Sequence, residues 1–178
     1  MKKRLLLHAC CGPCSTHSVK KLLEDYEVTM FWYNPNIHPF GEYVQRLEAG
    51  KEVAKKLGVE LIEHHFDVDR WLEKIQGYEE HPEGGLRCQI CFAVRLKETA
   101  EYAKEHGFDA FTTTMTISPH KDADKINRTG RHYAEKSGVE WVESNFKADG
   151  GFGKSVEMSK EMGIYRQKFC GCFYSRMP

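Results

Sequence analysis

The chain has 178 residues, of which 40% are hydrophobic and 29% charged, and its formal net charge is zero. This length predicts one domain with a sizeable core, and the zero charge excludes a basic field over the whole surface, so a nucleic acid would need a local patch. No apolar run approaches the about 20 residues of a membrane-spanning helix, and we expect a cytoplasmic protein with no membrane partner.

Strand and helix patterns alternate along most of the chain, beginning with an apolar strand at Lys3–His8 and a helix that starts at Pro13. The other predicted elements are strand 27–33, helix 42–57, strand 59–63, helix 68–75, helix 88–106, strand 109–113, helix 122–137, strand 139–142 and helix 152–162. This alternation predicts an α/β fold, a doubly wound, mostly parallel five-stranded sheet with flanking helices and a nucleotide-hydrolase-like (Rossmann-like) architecture.

The loops after the first and fourth strands are expected to meet at the carboxyl edge of the sheet, where such folds place their sites. That edge would collect the cysteines of segment 10–14, with segment 114–120 opposite. A phosphate-binding loop is missing from the pattern, because Gly150-Gly151-Phe152-Gly153-Lys154-Ser155 lacks the spacing of a Walker motif and follows no clear strand. We expect this glycine-rich segment to open the last helix.

Seven cysteines fall into three tight groups: Cys10, Cys11 and Cys14; Cys88 and Cys91; and Cys170 and Cys172. In the cytoplasm such thiols stay reduced unless they bind metal or cycle catalytically. Cys10 and Cys11 at the end of the first strand and Cys88 and Cys91 at the start of a helix together supply four sulfurs. Four thiolates suit either a tetrahedral zinc ion or an iron–sulfur cluster. Adjacent cysteines are expected to point in divergent directions, which favours the wider [4Fe-4S] cluster, and a structural zinc site with spare thiols is the alternative.

The segment Cys170-Gly171-Cys172 has a different pattern. One intervening residue makes a strained ring when the pair oxidises, and strained disulfides are readily reduced. This spacing indicates a two-electron store. The alternatives are two further metal ligands or two inert thiols in a frayed tail.

Five ordered motifs then resemble one family over the whole chain: His8-Ala9-Cys10-Cys11-Gly12-Pro13-Cys14, Tyr33-Asn34-Pro35-Asn36-Ile37-His38-Pro39, Arg87-Cys88-Gln89-Ile90-Cys91-Phe92, Thr112-Thr113-Thr114-Met115-Thr116-Ile117-Ser118-Pro119-His120-Lys121 and Tyr165-Arg166-Gln167-Lys168-Phe169-Cys170-Gly171-Cys172. They are similar to the cobalamin-independent epoxyqueuosine reductases of the QueH type. The resemblance implies an oxidoreductase that reduces the epoxide of epoxyqueuosine, at the tRNA wobble position, to the alkene of queuosine.

The resemblance also implies the cofactors and their ligands. A [4Fe-4S] cluster is expected on Cys10, Cys11, Cys88 and Cys91, and a redox-active disulfide between Cys170 and Cys172. A further mononuclear iron near the cluster is a family trait, with Cys14 and a nearby Asp as its candidate ligands here. Residues 1–178 would then form a single α/β domain that carries an iron–sulfur site and a redox-active C-terminal tail, reduced by an unidentified electron donor.

A local basic surface is the expected site for tRNA, because a splayed wobble base must be held by phosphate contacts and stacking. The candidate tRNA-binding residues are Lys121, Lys125, Arg128, Arg131, Arg166 and Lys168. A solvated helix face is the ordinary alternative for the first four. Two other functions compete with the reductase: a zinc-binding structural or interaction module, and an adenylating enzyme of the tRNA-thiolation type, which the missing phosphate loop disfavours.

Overall fold

The computed structural model of the protein describes residues 1–176, so the last two residues of the predicted domain lie outside the described chain. Five strands form one sheet in the order β3-β2-β1-β4-β5. Their bounds are β1 Lys3–His8, β2 Tyr26–Trp32, β3 Glu60–Glu63, β4 Ala110–Thr113 and β5 Glu140–Trp141. Every strand pair is parallel, so the predicted doubly wound sheet is confirmed.

In residues 1–176, six α-helices flank the sheet: α1 Gly12–Leu22, α2 Phe40–Leu57, α3 Val68–Ile75, α4 Leu86–Glu105, α5 Ala123–Ser137 and α6 Gly151–Glu161. Strands β2 and β3 extend the sheet on one side of β1, and β4 and β5 extend it on the other. The winding therefore reverses between β1 and β4. Folds of this type bind ligands at such a switch point, beyond the carboxyl ends of the two strands.

Local sequence explains where these elements begin and end. Leu5, Leu6 and Leu7 are fully buried, as expected for a parallel strand covered on both faces. Helix α2 ends at Gly58, which has a left-handed φ of 68° that glycine adopts readily. The glycine-rich segment that lacked Walker spacing opens α6, with Gly150 at the N-cap, as predicted.

The core has one apolar layer on each side of the sheet. Leu6, Phe31 and Phe111 pack into one layer, and Leu5 and Trp32 pack into the other, because successive strand residues point to opposite faces. The buried side chains of both layers are at most 8% exposed. Within residues 1–176, no helix is both long and apolar enough to cross a membrane.

Candidate metal and redox centre

Three cysteine sulfurs converge directly after β1, in a cluster that we name the three-thiol group. The Sγ atoms of Cys10 and Cys11 are 4.0 Å apart, and those of Cys10, Cys11 and Cys14 all lie within 4.8 Å of one another. The expectation that the adjacent cysteines diverge is therefore wrong. The two sulfurs converge because Cys11 is the N-cap of α1. The Cys11 Sγ atom accepts a hydrogen bond from the Cys14 backbone N–H at 3.4 Å, which directs it towards the other two thiols.

The three-thiol group is polarised by hydrogen bonds. The Cys11 and Cys14 thiols lower the pKa of Cys10 well below its usual value, and the Thr114 hydroxyl, 3.2 Å from Cys10 Sγ, acts in the same direction. Burial raises the pKa of Cys11 to about 12. One thiolate supported by two thiols is a state from which a metal ion can displace the remaining protons.

The other two cysteine groups meet in a second place, a cavity between α4 and the tail that we name the thiol cavity. Its lining includes Cys88, Cys91, Cys170 and Cys172. Cys88 and Cys91 lie in the first turns of α4, and Cys88 Sγ accepts a hydrogen bond from the Gly84 N–H at 3.2 Å. Burial raises the pKa of Cys91 and raises that of Cys172 to about 11.

A cleft of about 390 Å³, which we name the tail cleft, adjoins the thiol cavity. Cys10 and Cys14 line the tail cleft, and Cys170 borders both spaces. The fold therefore brings all three cysteine groups to one region at the switch point. The sulfurs that lie within 4.8 Å of one another are nevertheless those of Cys10, Cys11 and Cys14, with Cys88 and Cys91 in the neighbouring cavity.

Arg95 is a buried cation between these two spaces that sequence reasoning missed. It is 2% exposed and lines both the thiol cavity and the tail cleft. Burial alone would lower its pKa, but electrostatic interaction with the cysteines around it, Cys91 first and then Cys170, Cys10 and Cys88, outweighs burial and raises it. The available signal was its spacing, because a residue four positions after Cys91 lies on the same helix face.

Lys121 adds a second cation at the same place. It also borders both spaces, and the charges of Cys170 and Cys10 raise its pKa against the lowering effect of burial. Buried cations are unfavourable unless an anion compensates them. Six of the seven cysteines line the two spaces that these cations border, which is a donor set that fits an anionic, thiolate-ligated metal group.

The C-terminal tail is docked rather than frayed. Arg46, which is 2% exposed, donates to the backbone carbonyls of Phe169 and Cys170 at 3.0 Å each. Glu42 accepts from Arg46 Nε at 2.7 Å and from the Tyr165 hydroxyl at 3.0 Å. This clamp holds the segment that carries Cys170 at the border of the thiol cavity.

Gly171 is required by this docking. Its φ of 104° is one that side chains with a Cβ rarely adopt, and an added Cβ would lie 2.8 Å from Arg46 Nη1. Its carbonyl accepts a hydrogen bond from the His38 backbone N–H at 2.9 Å. The motif around His38 therefore contributes to the site by fixing the tail between its two cysteines.

His8 and Asn34 support the cysteine loop. Asn34 Nδ2 donates to the Ala9 carbonyl at 2.8 Å, next to Cys10. His8 Nε2 lies 3.0 Å from the Tyr33 carbonyl and so donates its proton there, which leaves Nδ1 to accept from the Thr113 hydroxyl at 2.9 Å. Because burial lowers the pKa of His8 to about 4, it is neutral at pH 7 and acts as a brace for the loop.

The predicted tRNA-binding residues separate into two sets. Lys121, Arg166 and Lys168 line the tail cleft, and Lys121 precedes α5 instead of lying along it. Arg166 also donates to the Val156 carbonyl and the Ser159 hydroxyl of α6 at 3.0 Å each, so part of its role is to attach the tail.

The second set lies on α5. Lys125 lines the thiol cavity, whereas Arg128 and Arg131 are exposed. Arg131 forms an ion pair with Glu143, which offsets part of its charge. Of the three, Lys125 is the one that borders the cysteine region.

A parallel α/β sheet with a three-thiol group at its switch point defines the class of this protein, an α/β protein with a cysteine site that could hold a metal ion. The family model "Epoxyqueuosine reductase QueH" matches residues 5–178. The chain belongs to the epoxyqueuosine reductase QueH family, and the resemblance indicated by its motifs is confirmed.

The relatives agree over nearly the full chain. An epoxyqueuosine reductase QueH from Haemophilus influenzae is 42% identical over 174 residues, which cover 97% of this chain and 71% of that protein. One from Thermotoga maritima is 34% identical over 174 residues, covering 96% of this chain and 89% of that protein.

Solved structures share the fold. The U34-tRNA thiolase NcsA from Methanococcus maripaludis, solved with its [4Fe-4S] cluster, aligns with a TM-score of 0.60 and 13% identity over 99% of this chain and 62% of its own. A predicted subunit of a tRNA methyltransferase from Methanocaldococcus jannaschii aligns with a TM-score of 0.57 and 13% identity, over 88% of this chain and 76% of its own. At this identity the likeness supports the Rossmann-like architecture alone.

Proposed function

We propose that this protein reduces the epoxide of epoxyqueuosine in tRNA to the alkene of queuosine. The observation that carries the proposal is the position of Cys170. A docked tail holds this thiol beside the cleft that contains Cys10 and Cys14, in a chain that belongs to the family. A thiol pair that can be oxidised to a disulfide, beside a thiol group that can hold a metal, is the arrangement that a two-electron reduction of a substrate needs.

For the metal centre we propose a [4Fe-4S] cluster held by Cys10, Cys11, Cys88 and Cys91, with Cys14 at an adjacent iron. The meeting of all three cysteine groups in one region and the burial of Arg95 beside the α4 thiols support this assignment. When bound, the cluster supplies electrons one at a time. Arg95 and Lys121 offset the negative charge that thiolate ligands bring into a buried region.

The chain's own dithiol balances the reaction. Loss of the epoxide oxygen as water takes two electrons and two protons, and oxidation of the Cys170–Cys172 dithiol to a disulfide releases the same number. An external electron donor then returns the disulfide to the dithiol. Arg46 and Gly171 have a positioning role, because they fix the backbone of the tail on both sides of Cys170.

Zinc binding is the second candidate function, and one observation favours it. Four thiolates about 2.3 Å from a tetrahedral zinc ion lie about 3.8 Å apart, and the Sγ atoms of Cys10 and Cys11 are 4.0 Å apart. A structural zinc module would bind this metal without catalysing a reduction. Metal and sulfide analysis of protein purified without oxygen separates the two functions.

The test of the proposed function is a conversion assay. Protein reconstituted anaerobically with iron and sulfide is mixed with tRNA that carries epoxyqueuosine and with a chemical reductant, and the nucleosides are analysed by mass spectrometry. We expect a nucleoside that has lost one oxygen atom and gained an alkene. Protein that retains about four iron atoms and four sulfides and forms no queuosine would refute the reductase assignment.

Contact between the basic residues and tRNA phosphates is a separate prediction. We expect the affinity for tRNA to fall steeply with salt, because each phosphate contact releases counterions. Replacing Lys125 and Arg128 with Gln should reduce the slope of log K against log salt by about 1–2 units. The control is replacement of exposed Lys55 and Lys56 at the far end of α2, and equal slopes in both variants would contradict the prediction.

A further inference from the structure

The tail cleft is lined by side chains, among them Phe152 and Gln167, that take no part in the proposed reduction. Cys10, Cys14 and Cys170 line one part of it, and Phe152, Val156 and Gln167 belong to the rest of the lining. Its volume of about 390 Å³ lies within the range of about 300–1,000 Å³ that is usual for small-molecule sites. A ligand in this cleft can therefore reach the cysteine sulfurs with one end and the α6 side with the other.

Gln167 stands out because its Oε1 is buried and, within residues 1–176, has no hydrogen-bond partner. A buried amide oxygen without a donor is unfavourable, and such groups in folded proteins are nearly always satisfied. Since Gln167 lines the tail cleft, a ligand that offers an N–H group there would satisfy it.

Phe152 gives the same cleft an aromatic surface. It is 40% exposed and lies in the first turn of α6. Exposed aromatic rings in RNA-binding sites stack on bases that have been turned out of the strand. A base whose ring packs on Phe152 would be available to the amide of Gln167 through its edge.

We propose that the tail cleft binds the wobble base itself, a guanine-type base, with Gln167 Oε1 accepting a hydrogen bond from its Watson–Crick edge. This inference rests on the proposed function, because the base of epoxyqueuosine is a deazaguanine. Such a base offers two neighbouring donors on that edge, the ring N1–H and the exocyclic N2 amine. Gln167 thereby determines which base enters, while the substituent that carries the epoxide reaches towards Cys170.

The test deletes one donor at a time from the RNA. Anticodon stem-loops with guanosine, inosine (which lacks the N2 amine) or 2-aminopurine (which lacks N1–H and also the O6 carbonyl) at the wobble position are titrated with the metal-loaded protein, and binding is followed by fluorescence anisotropy. We expect the wild-type protein to bind at least one of the two analogues about tenfold more weakly than guanosine. Gln167→Leu should bind all three RNAs alike.

Two further variants separate recognition from folding. Gln167→Glu keeps an acceptor oxygen and should keep the discrimination, and Gln45→Leu, at an exposed position on α2, should behave as the wild type. Equal binding of all three RNAs by the wild type, or unchanged discrimination by Gln167→Leu, would overturn the inference. The conversion assay with wild-type protein reports on the reductase activity separately, so the two proposals can fail independently.

Discussion

Replacement of Cys10, Cys11, Cys88 or Cys91 by Ser is expected to remove most of the iron and labile sulfide that the reconstituted protein binds. In the proposed centre, each of these side chains supplies one of the four thiolates that a [4Fe-4S] cluster takes. Loss of a residue that only supports a metal ligand lowers metal affinity or activity by about 10–100-fold. Because these four residues are proposed as the ligands themselves, the rate of epoxyqueuosine reduction should fall by more than that. Iron, sulfide and product alkene are measured in the same anaerobic preparation.

Cys14→Ser distinguishes the three-thiol group from the cluster. If Cys14 holds an adjacent iron, this variant should lose about one iron atom and keep about four sulfides. The matched control is Ser18→Ala on the same helix, whose hydroxyl donates only to the Cys14 carbonyl at 3.0 Å in the hydrogen bonds that we observe. A different result would show that the three-thiol group is the complete set of protein ligands. In that case the Cys88 and Cys91 variants keep their full iron and sulfide content, and the variants of Cys10, Cys11 and Cys14 lose it.

The sequence predicted the sheet well because its signals are local. Apolar runs such as Leu5–Leu7, the left-handed Gly58 and Pro13 at the start of α1 act within a few residues. The bounds differ from the predicted ones by one or two residues, where helix ends are set by capping contacts. The position of Cys10, Cys11 and Cys14 at the switch point followed from the same alternation.

The details of the site depended on side-chain direction and tertiary packing, which a sequence pattern does not contain. The convergence of Cys10 and Cys11 follows from the extended backbone of Cys11 at the N-cap, with φ of −167°. Arg46 and Arg95 look like ordinary charges on amphipathic helices, and only the packing of the tail and of α4 shows that both are buried. The unpaired amide oxygen of Gln167 likewise follows from tertiary packing and has no signal in the sequence.

Replacement of either cysteine in the C-terminal tail is expected to have the second large effect on turnover. Cys170→Ser and Cys172→Ser should each keep the metal centre and lose multiple turnover, forming no more than about one equivalent of queuosine per chain. The physical reason is that neither variant can form the disulfide whose formation supplies the two electrons and two protons of the proposed reduction. Loss of iron and sulfide in these variants would make the two residues metal ligands, and unimpaired turnover would show that the pair takes no part in the reaction.

Arg46→Lys tests whether position, and not only thiol chemistry, sets this turnover. Lysine keeps the charge beside Glu42 but lacks the fork that binds the carbonyls of Phe169 and Cys170. We expect unchanged iron and sulfide, slower turnover and faster alkylation of Cys170 by iodoacetamide, because the released tail exposes its thiol. Arg131→Lys, at the exposed ion pair with Glu143, serves as the control. Equal alkylation rates in the two variants would show that the tail is fixed by other contacts, and Cys170 would then reach the centre without the Arg46 clamp.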